Sequence, residues 1–147
     1  MKEIDDPSKK KHPFRKGLFD LEDQDTHLIG ALCERCNIRF FPMRRFCSNC
    51  FESDRMKEVS LSRVGTLYTY TTVVQGKPDF NSPYSVGFVD LKEGVRVFTP
   101  LLDVAPEDLR IGMEMELVFR PMDWVSGREK SWVYAFKPRT EKNTLNE

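Results

Sequence analysis

Cys33-Glu34-Arg35-Cys36 and Cys47-Ser48-Asn49-Cys50 are two knuckles of the form C-x2-C, separated by ten residues, and they use every cysteine of the chain. A two-residue gap lets one tight turn aim two thiolates at a single point, and two such turns facing each other complete a tetrahedron. The expected occupant is a structural Zn2+ on Cys33, Cys36, Cys47 and Cys50. Iron is the competitor, since a tetrahedral four-sulfur site suits it as well. A zinc with four thiolates has no open position for a water, so it is expected to hold structure and do no chemistry. Between the knuckles, residues 37–46 (NIRFFPMRRF) are expected to form a two-stranded hairpin around the metal. A module this short buries little core, and a structural zinc supplies about 10–16 kcal/mol of apparent binding free energy in comparable peptides.

Working toward the C-terminus, the periodicity switches to two. Val59, Leu61 and then residues 64–74 (VGTLYTYTTVV) read as one long strand, with Gly65 as a bulge or bend. Residues 75–83 (QGKPDFNSP) are rich in turn formers and read as a loop carrying Lys77 and Phe80. Strands are expected over 84–91 and 95–101, joined by a tight turn at Lys92-Glu93-Gly94 in which Gly94 can take positive φ. A short helical turn follows at 105–112, then strands at 115–120 and 131–136 around a polar loop carrying Trp124. Five strands, the first long and bent, suggest a small closed barrel of the OB type, although another small barrel or a sandwich has the same strand count.

Working toward the N-terminus, residues 14–30 carry Phe14, Leu18 and Leu21 at i, i+4 and i+7, one helical stripe, so one or two short helices are expected there. Residues 1–13, with the Lys9-Lys10-Lys11 run, and the charged residues 139–147 read as tails. Lys plus Arg and Asp plus Glu both number 23, which leaves no net charge to attract a polyanion. No apolar run approaches the ~20 residues that span a bilayer, and the charged first 13 residues lack the apolar core of a secretory leader. Thiolates kept reduced for a metal imply a cytoplasmic location.

Groups for covalent chemistry are scarce. His12 and His27 are the only histidines, and both precede the barrel. There is no spare cysteine, nucleophile elbow or phosphate-cradling glycine loop, so no catalytic residue is expected. A competing reading is single-stranded nucleic acid stacked on Tyr68, Tyr70, Phe88 and Phe98. The zero net charge and the few cations on the strands argue against it, because phosphate binding needs concentrated positive charge. The one basic cluster is Arg35, Arg39, Arg44 and Arg45, all within the cysteine module.

Taken in order, the chain reads Leu32-Cys33-x-x-Cys36, then Pro42-x-Arg44-x-x-Cys47-x-x-Cys50, then Gly65-x-Leu67-Tyr68-Thr69-Tyr70-Thr71. Pro83-Tyr84-x-Val86-x-x-Val89-Asp90-Leu91-x-Glu93-Gly94-Val95-Arg96, Leu109-x-Ile111-Gly112-Met113 and Tyr134-x-Phe136-x-Pro138 complete the pattern. This order and spacing resembles the DUF35 family, a rubredoxin-like zinc ribbon fused to an OB-fold, over residues 14–138. The resemblance implies a mainly β chain: a tail at 1–13, a helical docking segment at 14–30, a ribbon at 31–57, a five-stranded OB barrel at 58–138 and a tail at 139–147. Family members accompany thiolases, thiolase-like aldolases, 3-hydroxy-3-methylglutaryl-CoA synthases or acyl-CoA hydratases. The resemblance therefore implies a non-catalytic accessory subunit of an acyl-CoA enzyme. A thiolase that cleaves a β-ketoacyl-CoA in catabolic β-oxidation is the leading candidate, with aromatic acyl groups among the substrates considered. It further implies a heterotetramer with two copies of each chain and a CoA ester bound jointly with the partner. Arg44 and Arg45, from the basic cluster, and Lys77 and Phe80, from the 75–83 loop, are the candidates to face that ester or the partner. The plainer readings are a solvated or interface-paired face for the arginines and a passive surface loop for residues 75–83. One departure stands out. The family places glycine after the second cysteine of each knuckle, where this chain has Asn37 and Phe51. Asn tolerates the left-handed conformation and Phe does so poorly, so the second knuckle is expected to turn differently from the first.

Overall fold

The computed structural model describes residues 18–19, 26–75, 83–122 and 131–139. Its first unit is a three-stranded antiparallel sheet in which β1 (Ile29–Cys33) lies between β2 (Ile38–Phe40) and β3 (Met56–Ser60). The second is a closed barrel of β4 (Val64–Val73), β5 (Tyr84–Leu91), β6 (Arg96–Leu101), β7 (Glu114–Met122) and β8 (Ser131–Pro138), in the circular order β4-β5-β6-β8-β7. Every neighbouring pair is antiparallel except β6 and β8, which meet in parallel at Leu101 and Phe136. A five-stranded barrel closed this way is the OB architecture, which decides among the small β-folds open to strand counting.

Alternation builds the barrel. In β5, Ser85, Gly87, Val89 and Leu91 point inward, and in β6, Val97, Thr99 and Leu101 do the same. Leu67, Val89, Val97, Met115 and Phe136 form the fully buried centre. The inward Thr99 is satisfied locally, its hydroxyl donating to the Pro100 carbonyl at 2.9 Å. The turn at Gly94 forms as expected, with φ 84°, and the helical reading of 105–112 shrinks to a 3-10 turn at Pro106–Asp108.

Two sequence expectations are corrected. Residues 59–74 are not one strand: β3 pairs with β1, the chain passes between units at 61–63, and β4 starts at Val64. Gly65 is not the bulge either. The register shift lies between Leu67 and Thr69, at Tyr68. A Cβ on Gly65 would come within 2.5 Å of Val89 Cγ1 and 2.7 Å of the Asp90 carbonyl, so glycine is there to let β5 close on β4.

The helical reading of 14–30 also fails where the segment is described. Phe19 pairs with Leu28 in an antiparallel bridge, and the Ile29 N–H donates to the Leu18 carbonyl at 2.8 Å. Adjacent Leu18 and Phe19 are both buried, which a single helical stripe does not achieve. The chain covers them itself: the Phe19 ring lies 4.8 Å from Phe119 and 6.3 Å from Tyr134. Phe14 and Leu21 lie outside the described residues, as do residues 1–13 and 140–147.

The two units meet along a defined junction. The Phe41 ring packs edge-on against Tyr134 at 5.6 Å. The Leu61 N–H donates to the Leu28 carbonyl at 3.0 Å, and the Leu117 N–H to the Arg63 carbonyl at 2.7 Å. Ser62 is held by Glu93, whose Oε1 accepts from the Ser62 N–H at 2.9 Å and from its hydroxyl at 2.5 Å. Among the described residues, no helix is long and apolar enough to cross a membrane.

Candidate metal centre

Cys33 ends β1 and Cys36 sits in the turn that leads to β2. The hairpin is thus β1–β2, with the first knuckle at its tip, and not the stretch between the knuckles. That stretch supplies only β2, then runs through a cis Phe41-Pro42 bond without further strand pairing. The second knuckle is a loop between β2 and β3.

The knuckles are built alike. The Asn37 N–H donates to the Cys33 carbonyl at 2.8 Å, and the Phe51 N–H to the Cys47 carbonyl at 2.8 Å. Asn37 has φ 56° and Phe51 φ 59°, so both knuckles end in the left-handed region. The expected difference between them does not exist: the turn geometry dominates, and Phe51 accepts an unfavourable backbone.

The four Sγ atoms all lie within 4.8 Å of one another, and those of Cys33 and Cys50 are 3.7 Å apart. A tetrahedral ion with bonds of about 2.3 Å requires sulfur–sulfur edges of about 3.8 Å, so this donor set fits a four-coordinate metal. Cys33 and Cys47 are buried while Cys36 and Cys50 are half-buried. The side-chain amide of Asn49 donates to Cys36 Sγ at 3.2 Å and its backbone N–H faces Cys47 Sγ at 3.4 Å, which orients the sulfurs from a second layer. The Cys50 N–H, with the Asn49 N–H and the adjoining thiols, outweighs burial and lowers Cys47 to about 7. For Cys50 the Glu52 N–H favours the thiolate, but burial and the thiols of Cys36, Cys33 and Cys47 prevail and push it up to about 12. The opposite directions at Cys47 and Cys50 are a conflict that a bound dication would remove.

Of the basic cluster, Arg35 is occupied by Glu52 at 2.5 Å. Exposed Arg44 places its guanidinium 5.2 Å from the centroid of the Phe40 ring, and Arg45 is exposed beside it. Lys77, Phe80 and Trp124 lie outside the described residues. His27 meets the Ser60 hydroxyl at 2.7 Å, beside β3 and away from the barrel interior.

The barrel aromatics divide. Tyr70 is half-buried and donates its hydroxyl to the Leu109 carbonyl at 3.1 Å, so it is no stacking platform. Tyr68, Phe88 and Phe98 are exposed across β4, β5 and β6, with the two phenylalanine rings 5.2 Å apart. Arg96, absent from the sequence-derived candidates, lies 3.4 Å over the Tyr68 ring and binds Asp90 through two hydrogen bonds of 2.7 and 3.1 Å. Strand register puts these residues together: the β5–β6 hairpin pairs Asp90 with Arg96 and Phe88 with Phe98, and β4 brings Tyr68 alongside.

These features define a class: a four-cysteine ribbon packed on an OB-type barrel, with its thiols gathered for a metal and aromatic and arginine side chains on its outside. Residues 58–120 match the family model described as the C-terminal OB-fold domain of ChsH2. A DUF35 domain-containing scaffold protein of Methanocaldococcus jannaschii is 39% identical over 95 residues, 63% of this chain and 67% of that protein. The chain belongs to the DUF35 family. The benzoylsuccinyl-CoA thiolase subunit BbsA of Thauera aromatica is 35% identical over 91 residues, 62% of each chain. Among solved structures, the Ltp2-ChsH2(DUF35) aldolase is similar with a TM-score of 0.63 and 27% identity, covering 76% of this chain and 84% of that one.

Proposed function

We propose that this chain is a non-catalytic, zinc-binding accessory subunit of a cytoplasmic acyl-CoA enzyme. The partner it fits best is a thiolase that cleaves a β-ketoacyl-CoA in catabolic β-oxidation, in a heterotetramer with two copies of each chain. The observation that carries this reading is the likeness to BbsA, whose name makes it a thiolase subunit. The likeness to a chain solved as part of an aldolase supports an enzyme partner of related chemistry. In such a thiolysis the partner's cysteine takes the acyl group and CoA releases it. All four cysteines of this chain are turned toward one another, which suits a subunit that contributes structure and not a nucleophile.

In this reading Cys33, Cys36, Cys47 and Cys50 hold one Zn2+, which fixes the ribbon. Arg44 and Arg45 face the CoA ester bound jointly with the partner, since a guanidinium presents paired donors to phosphate oxygens. Lys77 and Phe80 wall the acyl site. The test is co-expression with a thiolase-fold partner, followed by native mass measurement and a thiolysis assay. The expected result is a 2:2 complex with one zinc per accessory chain, active only when both chains are present. Replacing Arg44 and Arg45 with Ala should raise KM for the CoA ester about tenfold with assembly intact; an unchanged KM removes the arginines from the CoA site.

A second reading, single-stranded nucleic acid on the barrel, draws on the exposed trio Tyr68, Phe88 and Phe98. The cation at that face, Arg96, is already neutralised by Asp90. Binding of oligonucleotides with a steep salt dependence would favour this reading over the first.

A further inference from the structure

Phe51 is not the residue its turn asks for. Its backbone is left-handed at φ 59°, a conformation that glycine takes freely, Asn37 takes with little strain and a bulky side chain takes at a penalty. A buried ring could offset that penalty by packing, yet Phe51 is 77% exposed. Backbone strain carried by a side chain left mostly exposed points to a use outside the folded chain.

Its surroundings say what kind. Phe46, just before Cys47, is 55% exposed, and the Phe51 N–H bond to the Cys47 carbonyl closes the turn that begins at the next residue. Met43 and Ile38 add further exposed apolar surface to the ribbon. Residues 38–46 contain Arg39, Arg44 and Arg45 and no acid. Of the ribbon acids, Glu34 and Glu52 are engaged by Lys57 and Arg35, while among the described residues Asp54 and Glu58 are exposed outside any ion pair, and Arg39, Arg44 and Arg45 form no ion pair. The loop around the second knuckle therefore carries two exposed rings, three arginines outside ion pairs at residues 39–45, and a single acid likewise outside an ion pair, Asp54.

We propose that Phe51, with Phe46, is the anchor through which the ribbon docks into an apolar pocket on the enzyme partner, and that a carboxylate at the rim of that pocket meets Arg39, while Arg44 and Arg45 stay with the CoA ester. This rests on the accessory-subunit reading and assigns the surface that makes the contact. Aromatic residues in rigid settings, flanked by arginines, are the residue types that dominate interface energetics. The four-cysteine cluster presents Phe51 on a fixed turn, so little ordering is left for binding to require. A second copy of the chain fits this loop less well, because a two-fold interface would set its arginines against themselves.

The test is Phe51→Gly in the full chain, with binding to a thiolase-fold partner measured by titration. Glycine relieves the backbone and removes the ring, so fold and docking should respond in opposite directions. Expected are an apparent Kd at least about tenfold weaker, one zinc per chain as in wild type, and a thermal midpoint unchanged or raised. Phe51→Trp should restore binding to within a few fold of wild type. Tight assembly of the wild type that Phe51→Gly leaves unaltered overturns the anchor alone. So does a glycine variant that loses metal or melts several degrees lower, since the ring would then belong to the fold. Self-association of the wild type that is abolished in Phe51→Gly assigns the loop to a second copy and overturns the enzyme pocket. A wild type that assembles with no acyl-CoA enzyme overturns the functional reading and the anchor with it.

Discussion

At the scale of single residues, backbone demands explain more than side-chain chemistry does. Gly65 and Gly94 are glycines for different reasons. A Cβ at Gly65 would press within 2.5 Å of Val89 Cγ1 and 2.9 Å of Leu91 Cδ2, with the Asp90 carbonyl at 2.7 Å, whereas a Cβ at Gly94 meets nothing within 4 Å but sits on a backbone with φ 84°. Gly65→Ala should therefore destabilise by overpacking, about 1–3 kcal/mol, and Gly94→Ala by left-handed strain, about 1–2 kcal/mol. Urea unfolding separates the two. A partial rescue of Gly65→Ala by Val89→Ala, with no rescue of Gly94→Ala, is the expected pattern, and a neutral Gly65→Ala would contradict the close approach of β5. Gly65 was conspicuous in the sequence as a glycine inside a strand pattern, but the pattern suggests a bulge because it holds no information about β5. Phe51 shows the same limit from the other side: its identity argues against a left-handed turn, and the hydrogen bond back to Cys47 imposes one.

At the scale of elements, the ribbon is the part most legible in the sequence. A C-x2-C knuckle is a local object, and its spacing alone aims two sulfurs at one point. What spacing cannot supply is the scaffold: β3 begins sixteen residues beyond the end of β2, and only the pairing of Ala31 with both Phe40 and Glu58 shows that β1 is the central strand. The helical stripe at 14–30 misleads for a related reason. Helical periodicity is blind to Phe119 and Tyr134, a hundred residues away, and those rings make an extended segment the better way to bury Phe19. The dependence of the ribbon on its metal is testable at this scale. Removing zinc with a chelator, or replacing Cys47 with Ser, should expose the amides of β1, β2 and the second knuckle to hydrogen exchange, because a structural site contributes about 10–16 kcal/mol to modules of this size. The barrel has its own closed ladder and buried centre, so amides of β5 and β6 should stay protected. Simultaneous loss of protection in both units would show instead that they unfold as one.

At the scale of the whole molecule, the question is what fixes the ribbon on the barrel. Tyr134 stands at that junction. Its ring contacts Phe41 of the ribbon segment and Phe19 of the N-terminal bridge, and its hydroxyl donates to the Phe98 carbonyl at 2.9 Å. Burial holds the phenol above its usual value of about 10, and the bond to Phe98 exists only for the protonated form. The sign follows. Below pH of about 10 the phenol is protonated in both folded and unfolded chains, and its contribution to stability is fully present. As pH rises past that value the unfolded chain loses its proton first, so the unfolded state gains and stability falls until the folded phenol also ionises. Thermal midpoints measured from pH 8 to 11 should therefore decline for the wild type, and the decline should be shallower for Tyr134→Phe, which keeps the ring contacts and has no proton to lose. The fluorescence of a probe attached to the ribbon should report loosening at the junction over the same range. Parallel declines in the two proteins would remove Tyr134 from the junction's energetics and leave the Ser62–Glu93 contact and the Leu61–Leu28 and Leu117–Arg63 bonds as its holders.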